Sequence, residues 1–224
     1  MNSALTSTGI LPFMERYSNS TREVAQDGRR GALMLTLPVR HPDIAQFVDS
    51  KLDQTKVTGA NISVRLDDEF MRAVIGGEHY RLQFPVDSKK PKVEKEIDAL
   101  GLWKKIVHNA WKSAEPGLLF WDTVLRESVP DCYADLGYRT VSTNPCGEQV
   151  LLPYESCNLG SINLAVLYRN SSEPGKGAEV DWDKLREITH LAVHFLDNVI
   201  DVNKFPLPEI EWIRPASDLG FHLP

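Results

Sequence analysis

Cysteine is scarce in this 224-residue chain, three in all, an odd count and too few to staple a small secreted scaffold. No stretch approaches 18 unbroken apolar residues, and the first thirty residues show no charged-then-apolar leader. These absences argue against a membrane span or a secretion signal and lead us to expect a reducing cytoplasm, where the sequons at Asn19, Asn61 and Asn170 carry no weight. An excess of positive charge is also missing. With 25 basic and 31 acidic residues the formal net charge is −6, which speaks against a surface that coats a nucleic-acid polymer but not against a local pocket for one nucleotide. Internal repeats and low-complexity tracts are lacking too. What is present is ordinary globular composition, 42% hydrophobic and 25% charged, in a chain long enough for one large domain or two small ones.

Periodicity organises most of the chain. Leu11 to Ala25 reads as a helix with Phe13, Met14, Tyr17, Thr21 and Val24 near one face, followed by a polar loop from Gln26 to Gly31. Ala32 to Val39 fits a buried strand, and Pro42 can open a helix carrying Ile44, Phe47, Val48 and Leu52. Asn61 to Leu66 alternates as a strand, and Asp67, Asp68 and Glu69 suit the start of a helix using Phe70, Val74 and Ile75. Residues 76–98 read as an excursion in which only Tyr80 to Phe84 resembles a strand. A helical pattern runs from Ile97 to Trp111, Glu115-Pro116-Gly117 ends it, and Leu118 to Trp121 is a further strand. Ser156 to Leu167 looks extended, Asn170 to Gly177 is a turn, and Leu185, Ile188, Ala192, Phe195, Leu196 and Val199 form the clearest helical stripe. Strands alternating with amphipathic helices predict an α/β architecture with a largely parallel sheet. Pro206, Pro208 and Pro215 break up the tail.

The chemistry concentrates in Asn144-Pro145-Cys146-Gly147-Glu148 and in Pro153-Tyr154-Glu155-Ser156-Cys157-Asn158-Leu159-Gly160-Ser161-Ile162-Asn163-Leu164. In an extended segment residues i, i+2 and i+4 project to one side, so Asn144, Cys146 and Glu148 can converge on one small molecule as amide, thiol and acid or base. Pro145 fixes its own φ and pushes Asn144 toward an extended conformation, and Gly147 lets backbone approach a ligand closely. Other readings stay open at this level. A Cys in a Pro/Gly loop is commonly a small buried residue. Cys132, Cys146 and Cys157 are spaced too widely for a zinc knuckle, and His190 and His194 lack the metalloprotease pattern, so no metal ligand is assigned. A cysteine protease would need a partnered His that the sequence does not reveal.

These two strings resemble the finger loop of a ribonucleotide reductase catalytic chain. Pro and Gly within the loop, with 11 residues from Cys146 to Cys157, most resemble the adenosylcobalamin-dependent class. Further matches run in order along the chain: Thr8 to Met14, Gly28 to Ala32, His41 to Ile44, Asn61 to Val64, Asn109 to Lys112, Pro116 to Phe120 and Phe195 to Asp201. The resemblance implies part of a ten-stranded α/β barrel, incomplete at both ends, with residues 1–211 in the central barrel and 212–224 an atypical tail. It implies that Cys146 becomes a thiyl radical that takes the 3′ hydrogen of a ribonucleotide, that Glu148 is the general base and that Asn144 holds the ribose. Cys157 would be half of the reducing dithiol, while Cys132 has no matching role. Backbone at Pro145 and Gly147 would touch substrate. Gln26 and Arg30 would belong to the loop linking effector and substrate bases. Implied partners are a ribonucleoside di- or triphosphate, a nucleotide effector, a thioredoxin-like or small dithiol reductant, the missing segments of the same enzyme and a second copy of the chain. Adenosylcobalamin is the implied cofactor, with no binding site for it evident in this chain. The rival readings are a class with a separate metal-radical subunit, a non-catalytic remnant acting as an interaction module, and a zinc-binding module.

Overall fold

The computed structural model of the chain describes residues 7–26, 28–169 and 177–217. Helix α1 (Leu11–Glu23) carries Pro12 in its first turn, where a missing N–H leaves nothing unpaired. A hairpin follows, β1 (Ala25–Gln26) against β2 (Arg29–Arg30). Next come β3 (Met34–Pro38), α2 (Ile44–Asp49), β4 (Asn61–Leu66), α3 (Asp68–Gly76), β5 (His79–Phe84), β6 (Val93–Asp98), α4 (Ala99–Ser113), β7 (Gly117–Phe120) and α5 (Trp121–Glu127). After a 3-10 segment at Pro130–Leu136 lie β8 (Ser142–Thr143) and β9 (Val150–Leu151). A second 3-10 turn, Leu164–Leu167, leads to β10 (Tyr168–Arg169), β11 (Glu179–Val180), α6 (Trp182–Val202) and α7 (Pro208–Ser217).

The expected parallel sheet is present, in the order β3-β4-β7, with Met34 opposite Asn61 and Ser63 opposite Gly117. Helix α2 connects β3 to β4, and α3, the β5-β6 hairpin and α4 connect β4 to β7. The architecture is mixed α/β, and the described residues do not close a barrel. Central β4 buries Ile62, Val64 and Leu66 beneath Ile44, Phe47, Phe70 and Ile106 from the helices. Full burial of one such side chain contributes about 2–3 kcal/mol. Local chemistry sets the boundaries. Asp67 Oδ1 accepts the Phe70 amide at 2.7 Å, Asp68 and Glu69 fill the positive first turn of α3, and left-handed Gly77 ends it.

The loop ahead of β4 is held from both sides. Lys51 Nζ donates to the carbonyls of Val57 (2.9 Å) and Ala60 (2.6 Å) and pairs with Glu115 (2.9 Å), whose other oxygen accepts the Ile62 amide (2.8 Å). On the α1 side, Glu15 accepts the Val57 amide and Ser18 Oγ accepts the Gly59 amide at 2.8 Å. Gly59 lies so close that any β-carbon there would collide with the Ser18 carbonyl oxygen.

Five local expectations change. The buried face of α1 is Met14 and Ser18, while Phe13, Tyr17 and Val24 are exposed, because Ser18 is drawn inward by the Gly59 amide. Within residues 76–98, His79 to Asp98 form a full antiparallel hairpin, its second strand masked in the sequence by charges that stay in solvent. Trp121 opens a helix and does not end a strand. The stretch 156–163 is irregular and unpaired in any sheet, giving way to a 3-10 turn. The tail is helical through Ser217, since Pro208 falls at a helix start, and Ile213 is buried against Leu152 while Trp212 stacks on Tyr138.

Candidate active site

Strands β8 and β9 pair over two residues each and present Asn144 to Gln149 as a hairpin tip. Asn, Pro and Gly stand at the first, second and fourth positions of a four-residue turn, where each is favoured. The turn closes by Gly147 N donating to Asn144 O at 3.0 Å, and Asn144 N donates to Gln149 O at 3.0 Å. Gly147 takes φ +86°, a conformation that a side chain would strain. Asn144 is buried, and its Oδ1 accepts the amides of Gly147 (3.2 Å) and Gln149 (3.1 Å). Residues 144–148 therefore turn and do not run extended, so alternate-residue spacing does not carry the three side chains to one side. Asn144 is folded into its own loop, and Cys146 and Glu148 are exposed at the tip.

The tip rests where β3 and β4 begin. Asn61 Nδ2 donates to Pro145 O at 2.6 Å, and a β-carbon on Gly147 would come within 4.0 Å of Met34 and Leu119. A cavity of about 450 Å³ lies beside it, lined by Arg22, Gly31 to Leu33, Thr58 to Asn61 and Pro145. The backbone of Gln26 and Arg30 forms the β1-β2 hairpin just before Gly31, while their side chains lie outside what the structure describes. No local signal marks Asn61 or the Lys51–Glu115 pair in the sequence, because their partners come from remote segments.

None of the three cysteines is in a disulfide. Cys132 is exposed in the first 3-10 segment. Cys157 is half-buried in the irregular stretch after β9 and lines a cavity of about 80 Å³ with Asn158, Val199, Asn203, Phe205 and Ile213. Asn158 Nδ2 donates to Leu196 O at 2.8 Å and ties that stretch to α6. Burial pushes the Cys157 thiol pKa up, the negative charge of Glu148 pushes it further, a backbone hydrogen bond opposes, and Glu155 adds a smaller push. The charge of the acid at the tip thus bears on the second thiol. The tip exposes one thiol and one acid, both groups able to give or take a proton. Among the described residues no cluster of three or more His, Cys, Asp or Glu is placed to hold a metal ion, and no helix is long and apolar enough to cross a membrane.

Residues 1–215 match the family model described as "Ribonucleotide reductase, barrel domain". The chain is 42% identical over 216 residues to the vitamin B12-dependent ribonucleoside-diphosphate reductase of Thermoplasma acidophilum, an alignment covering 95% of this chain and 26% of that protein. It is 41% identical over 219 residues to the protein of the same description from Mycobacterium tuberculosis strain H37Rv, covering 96% and 29%. A vitamin B12-dependent ribonucleotide reductase of Streptomyces clavuligerus is 30% identical over 247 residues, covering 98% and 25%. The chain spans about a quarter to three-tenths of the length of these curated relatives.

Proposed function

Because the chain belongs to the ribonucleotide reductase barrel-domain family, we propose that it supplies the radical-bearing hairpin of an enzyme that converts ribonucleotides to 2′-deoxyribonucleotides. The observation that carries this reading is the tip itself: a thiol at Cys146, an acid at Glu148 and a braced amide at Asn144, with the Cys157 thiol within reach of the charge of Glu148.

In this reading Cys146 gives up its hydrogen atom to a radical source, and its sulfur then removes the 3′ hydrogen of the ribose. The S–H and activated C–H bonds are comparable in strength, so the step is reversible. Glu148 takes the 3′-hydroxyl proton as general base, and the 2′-hydroxyl then leaves as water with a proton from the reducing dithiol. Asn144 has its oxygen occupied by two loop amides, which leaves Nδ2 as the group it can offer the sugar. Cys157 and a partner thiol supply two electrons and become a disulfide, and Cys146 recovers its hydrogen at the end. The protonated state favoured at Cys157 suits a group that must deliver hydrogen as well as electrons. A cavity of about 450 Å³ beside the tip has room for a nucleoside, and we assign Gln26 and Arg30 to the contact that reads its base. We also propose that the three parallel strands belong to a larger ten-stranded barrel in a cytoplasmic enzyme that uses a thioredoxin-like or small dithiol reductant and a nucleotide effector.

Adenosylcobalamin is carried over from the B12 dependence in the relatives' names and would supply the radical. The residues here do not fit a site for it: the cavity at the tip is smaller than a corrin with its adenosyl group and is walled by strand starts and a helix end. No residue of this chain is assigned to hold it.

The test builds this segment into the Thermoplasma relative in place of its matching 216 residues. We expect adenosylcobalamin- and dithiol-dependent deoxynucleotide formation that Cys146→Ser abolishes, because a hydroxyl cannot stand in for the thiyl. Turnover that survives Cys146→Ser in the folded protein would overturn the reading.

A further inference from the structure

We propose that Asn61 is a positioning residue for Cys146: its side-chain amide ties the hairpin tip to the first residue of the central strand and so sets where the sulfur stands. The functional consequence rests on the reductase reading, but the tether does not. The bonded carbonyl, Pro145 O, belongs to the planar peptide unit that also contains the Cys146 nitrogen. Holding that oxygen restrains the unit, and with the backbone of Cys146 set by the closed turn it biases the direction in which the side chain leaves the backbone. The hairpin does not do this alone. Its strands pair over only two residues each, and the Asn144 bonds stay inside the loop, so they set the shape of the tip and not its place over the sheet.

The anchor is correspondingly firm. Asn61 N donates to Leu33 O at 2.8 Å, the Ile62 amide is held by Glu115, and Lys51 fastens the carbonyl of Ala60 just before it. A donor is required at this position, since Pro145 offers only a lone pair. The bond sits at the exposed rim, so its net worth lies at the low end for a hydrogen bond, equivalent to about a threefold change in the opening of the tip.

Amide hydrogen exchange on the full chain, read residue by residue by NMR, tests the tether without any turnover. Asn61→Ala should speed exchange at Gly147 and Gln149 about threefold, with Val64 inside β4 unchanged. Asn61→Asp is nearly isosteric, sets a carboxylate against the carbonyl at neutral pH and should loosen the tip at least as much. No acceleration at the tip, or equal acceleration in β4, overturns the proposal. If neither variant folds, the unaltered chain decides: the Asn61 side-chain amide protons should exchange more slowly than a solvated amide, and exchange at the solvated rate overturns it. In the reductase carrying this segment, Asn61→Ala should lower kcat about threefold, with a smaller effect on KM for nucleotide, since Asn61 also lines the cavity beside the tip. A change confined to KM would place Asn61 in substrate binding and overturn the positioning role. Failure of the unaltered protein to turn over counts against the reductase reading alone, and the exchange result still decides the tether.

Discussion

Replacing Lys51 by Met removes one ammonium and leaves three acceptors behind. The side chains of Lys51 and Glu115 are 15% and 21% exposed, so both sit mostly out of water. Nζ is the shared donor to Val57 O, Ala60 O and Glu115 Oε2 at 2.6–2.9 Å. Breaking a buried ion pair by deleting one partner costs about 3–5 kcal/mol, chiefly from the charge left unpaired. Water retains some access to both groups here, which points to the lower end, about 3 kcal/mol. With a urea dependence of about 3 kcal/mol per molar, the unfolding midpoint followed by tryptophan fluorescence should fall by about 1 M. The companion change Glu115→Gln removes the stranded charge yet keeps an oxygen for the Ile62 amide. Lys51→Met/Glu115→Gln should therefore be less destabilised than the two single losses combined, by about 1–2 kcal/mol. A midpoint shift below about 0.3 M, or strict additivity of the pair, would refute the view that this buried charge holds the loop ahead of β4.

Three other outcomes are expected. Alkylation of Cys157, followed by mass spectrometry of its peptide against pH, should rise only above the ordinary thiol range. Glu148→Gln removes a repelling negative charge, so it should move that rise to lower pH, and an unmoved profile would deny their proximity. Asn144→Asp keeps the oxygen that braces Gly147 and Gln149, whereas Asn144→Ala strands the Gln149 amide, at about 1 kcal/mol, and leaves Gly147 only its bond to the backbone carbonyl of residue 144. Both should lower turnover of the complete reductase by about 10²–10³, but only the Ala variant should disorder the tip by amide exchange. His41 accepts the Asp43 amide on Nδ1, and burial holds its pKa below the ordinary 6.5, with Asp43 opposing. The folded chain thus resists a proton that the unfolded chain accepts, so this contribution to stability is whole above pH 6.5 and drains as pH falls through that value. His41→Gln should flatten that part of the stability curve, measured by urea midpoints between pH 5 and 8.

What could be read from the sequence was whatever local chemistry determines. The alternation of Asn61 to Leu66, the acidic start at Asp67 to Glu69 and the stripe from Leu185 to Val199 all fall in elements of the expected kind. Elements whose reasons are tertiary escaped. Val93 to Asp98 is a strand because His79 to Phe84 pairs with it, and nothing in Val-Glu-Lys-Glu-Ile-Asp buries a face on its own. Ser18 lies inside although Phe13 and Tyr17 do not, because a glycine 41 residues onward donates to its hydroxyl. At the tip, Asn-Pro-Cys-Gly carries the preferences of a tight turn, and that signal outweighs alternate-residue spacing once Gly147 adopts positive φ. The bond from Asn61 to Pro145 crosses 84 residues, a separation that no pattern within one segment reveals.

The glycine at position 59 has one more consequence. Where helix α1 crosses the strand-entry loop, there is no room even for a methyl group, so the two backbones meet without any compressible side chain between them. Bodies in such contact behave as meshed gears: the helix cannot slide or roll at this crossing without carrying the loop that enters β4 along with it.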